Sequence, residues 1–91
     1  MPTHSNGKRK TAKARASITE GDGTLRINSQ PLKTWPEMPR NKIKEPLVIA
    51  GEEIIEEVSI EVNANGGGIQ AQAEAIRMAI ARGLVEHTGS D

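Results

Sequence analysis

The chain has 91 residues, 26% of them charged, with no cysteine, phenylalanine or tyrosine and one tryptophan. This length fits one domain with a small aliphatic core, and the lack of cysteine excludes a disulfide scaffold. No apolar run is longer than the four residues seen at 47–50, which is too short for a signal peptide or a membrane span, so we expect a soluble intracellular protein.

The formal net charge of zero conceals a division of charge along the chain. Residues 1–44 hold ten Lys/Arg and three Asp/Glu, a net of +7, whereas residues 45–91 hold two Lys/Arg and nine Asp/Glu, a net of −7. Five basic residues fall within eight positions: Lys8, Arg9, Lys10, Lys13 and Arg15. This pattern favours an anionic partner for the front of the chain; the alternative is a solvated basic tail with no partner.

The front half predicts a disordered arm followed by two strands. Residues 1–7 are polar and aperiodic, which is typical of a disordered arm ahead of a single domain over residues 8–91. From residue 11 to residue 19, small or apolar residues alternate strictly with basic or hydroxyl residues, which predicts a half-buried strand with a basic solvent face. Gly21-Asp22-Gly23 predicts a tight hairpin turn into a returning strand, on which Arg26 extends the positive face.

The second half predicts a helix, a strand and a long helix. Residues 29–39 contain three prolines and are interpreted as a loop. Residues 40–50 are interpreted as a helix that Gly51 ends and in which Pro46 either introduces a kink or begins a new helix. Residues 53–63 predict a third strand, whose acidic start protects the sheet edge or, alternatively, holds a metal. An apolar stripe predicts a helix over residues 69–87. The chain is therefore predicted to be α+β, in the order strand, strand, helix, strand, helix, with the helices on one face of a small sheet.

Few residues in the sequence are arranged for catalysis. The three glycines at residues 66–68 lie between a predicted strand and a predicted helix, where backbone amides hold an anion or glycine permits close approach of another backbone. A P-loop needs a lysine followed by Ser/Thr, and Ile69-Gln70 stands there instead. His4 and His87 share no local geometry, and spacing for metal ligands is absent. We expect no enzymatic activity, cofactor or metal.

The basic strand has both the charge and the geometry for nucleic acid. Alternate residues on a strand lie ~6.6 Å apart, close to the separation of successive phosphates, so Lys13 and Arg15 could engage neighbouring phosphates. No aromatic side chain lies among the basic residues, so stacking on single-stranded bases is disfavoured. The sequence predicts contacts mainly to the nucleic-acid backbone, with recognition of shape.

Several short blocks between residues 7 and 89 match those of one known family, in the same order. They are Gly7-Lys8-Arg9-Lys10-Thr11-Ala12 with Ala14-Arg15-Ala16, Arg26-Ile27-Asn28, Pro31-Leu32, Glu45-Pro46-Leu47, Ala50-Gly51-Glu52, Gly66-Gly67-Gly68, Gln72-Ala73 with Ala75-Ile76-Arg77, and Ala79-Ile80-Ala81-Arg82-Gly83-Leu84-Val85-Glu86. On these blocks the chain resembles the ribosomal protein S-nine family, the ninth protein of the small ribosomal subunit. The stretch over residues 45–52 is more similar to archaeal and eukaryotic members than to bacterial ones.

The resemblance implies a fold, a function and a set of sites. The implied fold is that of the second domain of ribosomal protein S-five, with a left-handed β-α-β crossover. The implied function is structural: binding of ribosomal RNA in the head of the small subunit, beside neighbouring ribosomal proteins, in the cytoplasm. Together with the basic strand, the resemblance gives the candidate RNA-binding residues Lys8, Arg9, Lys10, Thr11, Lys13, Arg15, Arg26, Gly66, Gly67, Gly68, Gln72, Arg77 and Arg82.

The chain also departs from the family pattern. Ala71 stands where the family commonly has glycine, and family members continue with a further helix, a strand and a basic tail that reaches transfer RNA. Without that tail we expect no contact with transfer RNA, and without that strand we expect an unpaired sheet edge that favours self-association of the isolated chain. Two alternatives stay open: a phosphate- or nucleotide-binding module of the same broad fold, and a shortened domain that no longer joins ribosomes.

Overall fold

A five-stranded sheet carries the helices on one face in the computed structural model, which describes residues 3–89. The elements are β1 (Thr3–Arg9), β2 (Ala12–Glu20), β3 (Leu25–Ile27), β4 (Gln30–Pro31), a 3₁₀ turn (Leu32–Thr34), α1 (Glu37–Ala50), α2 (Glu52–Ile55), β5 (Val58–Asn65) and α3 (Ile69–Thr88). The strand order is β1-β2-β5-β3-β4, with β3 parallel to β5 and the other neighbours antiparallel. The predicted α+β class is confirmed, whereas the predicted order of elements omits β1, β4 and α2.

The alternating pattern of β2 places its small residues against α3. Ala12, Ala14 and Ala16 are buried on the helix side, and Lys13 and Arg15 are exposed on the other side, as predicted. The facing surface of α3 is also rich in alanine, and larger residues from both layers complete the core. Because alanine occupies both surfaces, the helix and the sheet approach closely without a large aromatic core.

The predicted disordered arm is wrong for residues 3–7, which form most of β1; Met1 and Pro2 lie outside the described residues. The inward positions of this strand are Ser5 and Gly7, so it shows no apolar alternation. The Ser5 hydroxyl donates a hydrogen bond of 2.6 Å to the carbonyl of Ala79. Gly7 lets the backbone of α3 pass so close that any Cβ would overlap the Ala75 carbonyl oxygen. Packing against α3 therefore orders a segment that its own composition does not.

The predicted hairpin around Gly21-Asp22-Gly23 is also wrong in its pairing. The chain turns there, but β5 lies between β2 and β3 and pairs with both. The Gly21 and Gly23 amides donate to the carbonyls of Glu57 and Val58, each at 2.9 Å, so the turn binds to the start of β5. The parallel register of β3 with β5 makes β3, the following helices and β5 a β-α-β unit, whose left-handed crossover stays a prediction.

The middle of the chain is more helical than predicted. Helix α1 begins at Glu37, inside the predicted loop, and continues through Pro46 to Ala50. Gly51, with φ of 93°, ends α1 as predicted. The predicted third strand begins too early, because residues 52–55 form α2 and β5 starts only at Val58. The two isoleucines of α2 pack against the core from a helical turn. Two adjacent isoleucines in a sequence fit a helical turn and a strand equally well, so the pattern did not distinguish the two.

Helix α3 matches its prediction most closely. It runs from Ile69 to Thr88, one residue past the predicted end, and Gly89 follows in the left-handed conformation. Its apolar stripe is buried, apart from Ile69 at the first turn, which is 45% exposed. No helix among residues 3–89 combines the length and the apolar character needed to cross a membrane.

Candidate nucleic-acid interface

The face of the sheet away from the helices is polar, and one end of it is basic. The strand register aligns Lys8 with Lys13 and Asn65 in one row, and Asn6 with Arg15 and Asn63 in the next row. Neighbouring strands lie ~4.8 Å apart and alternate residues ~6.6 Å apart, so both rows fit within a patch roughly 10 Å wide. The predicted placement of Lys13 and Arg15 on one solvent face is confirmed, and β1 adds Lys8 beside them.

A fourth cation reaches this patch from the helix layer. Arg82 is exposed on α3, and its Nη1 donates a hydrogen bond of 3.1 Å to the backbone carbonyl of Asn6 on β1. The resulting groove, of about 510 Å³, is lined by Lys8, Lys13, Arg15 and Arg82 together with the asparagines of the two rows. No carboxylate lines it. We call this site the basic groove.

Two of the other predicted RNA-binding cations, Arg9 and Arg77, lie beside carboxylates on the helix side of the molecule. Arg9 lies on the helix side of β1, where its Nε is 2.9 Å from a carboxylate oxygen of Glu74; Lys42 approaches the same carboxylate at 3.7 Å. Arg77 lies 3.7 Å from Glu45 of α1. Among residues 3–89 these are the ion pairs, and none involves Lys10 or a cation of the basic groove. The structure therefore separates Arg9 and Arg77 from the groove cations.

Arg26 shares the open face but is not continuous with the basic groove. In the register of β2, β5 and β3, Glu61 lies between Ser17 and Arg26. A carboxylate thus interrupts the positive surface that the sequence predicted to run from Arg15 to Arg26. The acid-free part of the open face ends at the row of Asn63.

The glycine loop lies beside the turn between β1 and β2. Gly66 and Gly67 have φ of 76° and 61°, and a Cβ on Gly66 would overlap the carbonyl oxygen of Thr11. Gly68 has open space where a Cβ would be, and no side chain caps the start of α3. Gln72 donates from Nε2 to the Gly66 carbonyl at 3.0 Å, which holds the loop against the helix. Two of the glycines are therefore explained by close approach of the chain to itself, and the third lies in open space at a helix start that no side chain caps.

The tight turn itself contains an unusual lysine. Arg9 pairs with Ala12 across the turn, which leaves Lys10 and Thr11 as its two connecting residues. Lys10 has φ of 56°, in the left-handed region that favours glycine or asparagine. Both residues are exposed at the same end of the sheet as the basic groove.

Carboxylates gather at the opposite end of the sheet. Seven residue steps along β2 separate Lys13 from Glu20, a distance of about 23 Å at the usual rise of a strand. The exposed acidic residues at this end include Glu20, Asp22, Glu52, Glu53, Glu56 and Glu57. The hydroxyl of Thr24 donates to Asp22 at 2.6 Å, and this hydrogen bond lowers the pKa of the Asp22 carboxyl below its ordinary value. The molecule is polarised from one end of the sheet to the other.

The remaining polar residues do not form a catalytic constellation. His4 bonds through Nδ1 to the Ser17 hydroxyl at 2.9 Å, and His87 lies 3.4 Å from the Thr3 hydroxyl. Within residues 3–89, no three His, Asp or Glu side chains are grouped in a way that could hold a metal ion. In the described part of the chain, the basic groove is arranged to bind an anion rather than to catalyse a reaction.

Comparison with known proteins places this small α+β domain, with its cation-lined sheet face, among the ribosomal proteins. The model of the family described as ribosomal protein S9/S16 matches residues 7–91. Small ribosomal subunit protein uS9 of Halobacterium salinarum is 51% identical over 90 residues, which are 98% of this chain and 68% of that protein. Small ribosomal subunit protein uS9 of Pyrobaculum aerophilum is 56% identical over 80 residues, which are 87% of this chain and 56% of that protein.

The chain belongs to the ribosomal protein S9 family. The predicted membership, with its likeness to archaeal members, is confirmed, and so is the prediction of a ribosomal rather than an enzymatic protein. The chain spans between about half and two thirds of the length of these two relatives.

Sequence reasoning missed part of the basic groove. It did not predict that Asn6, Asn63 and Asn65 lie beside the cations, because β1 was not predicted and the end of β5 was left outside the third strand. One signal was present: asparagine is depleted in strands, so two of them at alternate positions suggest a role other than sheet formation.

Proposed function

We propose that the chain is a structural constituent of the small subunit of the cytoplasmic ribosome and binds ribosomal RNA through the basic end of its sheet. Membership of the ribosomal protein S9 family supports the ribosomal role. The observation that carries the RNA-binding proposal is the basic groove, in which four cations face solvent with no carboxylate among them. A polyanion is the partner that this arrangement fits best.

The mechanism is charge neutralisation combined with a fit to RNA shape. Lys8, Lys13, Arg15 and Arg82 contact phosphates of a strand that lies along the groove, and Lys10 extends the contact past the turn. Each phosphate that is neutralised releases counterions, which steepens the dependence of log affinity on log salt by ~0.7 to 0.9. Arg9 and Arg77 contribute less, because Glu74 and Glu45 already neutralise them.

The glycine loop brings a second RNA contact to the same end. Gly68 lies in open space and no side chain caps the start of α3, and a helix N-terminus attracts a phosphate. Gly66 and Gly67 let the loop lie against the β1–β2 turn at Thr11, and Gln72 bonds the loop to the helix, so these residues shape the contact. The acidic end then points away from the RNA and is available to basic neighbouring ribosomal proteins.

The sheet edges determine how the isolated chain associates. The edges of the described sheet are β1 and the two-residue strand β4, which ends at Pro31. We propose that β1 supports weak pairing between copies when no RNA is bound. Sedimentation as a monomer at every protein concentration would refute this part of the proposal.

Assembly into subunits tests the proposed function. The tagged chain is mixed with small subunits that have been washed free of their own S9 protein, and with large subunits, and each mixture is sedimented. We expect co-sedimentation with small subunits only, and loss of this binding when Lys8, Lys10, Lys13 and Arg15 are replaced by glutamine. A chain that stays at the top of both gradients, or a variant that binds as well as the wild type, would contradict the proposal.

A further inference from the structure

Three asparagine side chains line the basic groove without an internal bonding partner. Asn6, Asn63 and Asn65 are exposed, and among residues 3–89 their carboxamides make no hydrogen bond. Asn28 shows the contrast, because its carboxamide bonds to both the amide and the carbonyl of Ala64, at 2.8 and 3.2 Å. Asn28 stabilises the fold, whereas the groove asparagines are free for a ligand.

The position of these asparagines is not explained by folding. Asparagine is depleted in strands, and Asn63 and Asn65 occupy alternate positions on the open face of β5. Their cross-strand neighbours are Arg15 and Lys13, so each carboxamide lies beside a cation of the groove. Asn6 lies on the other side of Arg15, in the row of Asn63.

The two kinds of side chain offer different hydrogen-bonding chemistry. Lysine and arginine only donate, and phosphate oxygens only accept, so the groove cations bind any nucleic-acid backbone. A carboxamide both donates and accepts, and so does the ribose 2′-hydroxyl that distinguishes RNA from DNA. Cations and carboxamides at alternating positions across neighbouring strands therefore match a strand that presents phosphates and 2′-hydroxyls by turns.

We propose that Asn63 and Asn65, assisted by Asn6, bind ribose 2′-hydroxyls of the strand held in the basic groove and so give the chain its preference for RNA over DNA. This inference rests on the RNA-binding function proposed above. Glu61 limits the site, because it lies in the row that follows the Asn63 row along the strands, and its carboxylate repels a phosphate backbone.

A pair of matched probes separates the two kinds of contact. Oligo-uridine and oligo-deoxyuridine of equal length differ only in the 2′-hydroxyl, and their affinities are measured by fluorescence anisotropy over a range of salt. We expect the wild-type chain to prefer oligo-uridine. Replacing Asn63 and Asn65 by alanine removes roughly a three- to tenfold preference per residue, the effect of one lost hydrogen bond, and leaves the affinity for oligo-deoxyuridine and the salt slope unchanged.

Two control variants keep the outcomes distinct. Asn41→Ala removes an exposed asparagine of α1, outside the groove, and should change nothing. Lys13→Gln with Arg15→Gln should weaken both probes equally and flatten the salt slope. A thermal melt confirms that each variant is folded.

Three results would overturn the inference. An Asn63/Asn65 variant that keeps the full preference shows that the asparagines do not read the ribose, although the proposed function survives. A wild-type chain that binds both probes equally has the same consequence. A wild-type chain that binds neither probe removes the inference. The proposed function falls with it only if the chain also fails to sediment with small subunits, a result that would favour a protein partner for this face.

Discussion

The two ends of the sheet differ in charge and in the residues that form their turns. At one end Lys8 and Lys13 line an acid-free groove, and Lys10 lies in the β1–β2 turn beside the glycine loop. At the other end the β2–β3 turn and α2 gather carboxylates. Strand β2 runs from one end to the other, and its buried positions are small or apolar along its whole length. The difference in charge therefore comes from the solvent-facing residues alone. A net charge of zero therefore says little about the partners of a small protein when opposite charges lie at opposite ends.

Removing the cations at the basic end should have the largest effect on RNA binding. Replacing Lys8, Lys10, Lys13 and Arg15 by glutamine removes four of the proposed phosphate contacts, which should lower the salt slope by about 3 and the affinity at 0.1 M salt on the order of a thousandfold. Anisotropy titrations with small-subunit ribosomal RNA at several salt concentrations measure both quantities.

The matched control is at the acidic end, where Glu52, Glu53, Glu56 and Glu57 are replaced by glutamine. This variant should leave the salt slope within error of the wild type, since these side chains lie outside the proposed RNA interface. A slope that is equal in the basic-end variant and the wild type would show that the two ends do not differ in the way proposed.

Gly7→Ala should break the packing of the basic end. The new Cβ would overlap the Ala75 carbonyl oxygen and lie 2.8 Å from the Ala79 amide, and neither backbone atom can move without displacing α3 from β1. We expect a loss of ~3 kcal/mol in the free energy of unfolding, at the upper end of overpacking effects. Urea denaturation measures it.

Gly68→Ala serves as the control for this change, because nothing lies within 4 Å of the added Cβ and the residue has φ of −92°. Its unfolding free energy should stay close to that of the wild type. Equal losses in the two variants would show that general glycine effects, rather than the helix approach at Gly7, set the stability.

Lys10→Gly should raise the stability of the chain and lower its affinity for RNA. Lysine in the left-handed region costs ~1 kcal/mol relative to glycine, so the variant should unfold at higher urea concentration. It should also bind RNA less tightly and lower the salt slope by about 0.8, the contribution of one phosphate contact. A variant that gains stability and keeps full affinity would remove Lys10 from the interface.

The smallest expected effect is the pH response of the acidic end. The hydrogen bond from Thr24 lowers the pKa of Asp22 in the folded state below the ordinary value of 3.8. A lowered carboxyl pKa contributes stability that is complete above the unfolded pKa and is lost as the pH falls through the folded pKa. Thr24→Val should therefore raise the pKa of Asp22, as followed by NMR titration, and change stability at neutral pH more than at pH 2. An unchanged Asp22 titration would contradict the assigned cause.

The sequence was sufficient where local pattern and tertiary packing agree. The alternation over β2 and the stripe of α3 predicted both elements, because their buried positions are apolar and regular. That alternation alone predicted that Lys13 and Arg15 lie on the same solvent-facing side of β2. The family resemblance, rather than periodicity, was needed to predict that the glycine loop acts with the basic strand.

The sequence was insufficient where partners distant in the chain decide the structure. β1 is ordered by contacts of Ser5 and Gly7 with α3, more than 65 residues away, and neither residue has a strand-forming side chain. The hairpin prediction failed because local turn residues cannot show that β5 inserts between β2 and β3. Two asparagines at alternate strand positions were a signal in the sequence, but that they lie beside the groove cations could be recognised only once the register of three strands was known.

The most direct test of the proposed orientation uses the absence of cysteine from the chain. Single cysteines introduced at Thr11 and at Glu53 allow an iron-EDTA probe to be attached at the basic end or the acidic end. The probe cleaves RNA close to its site of attachment. We predict cleavage of bound small-subunit ribosomal RNA from Thr11 and none from Glu53. Equal cleavage from both positions, or cleavage from Glu53 alone, would contradict the assignment of the RNA interface to the basic end.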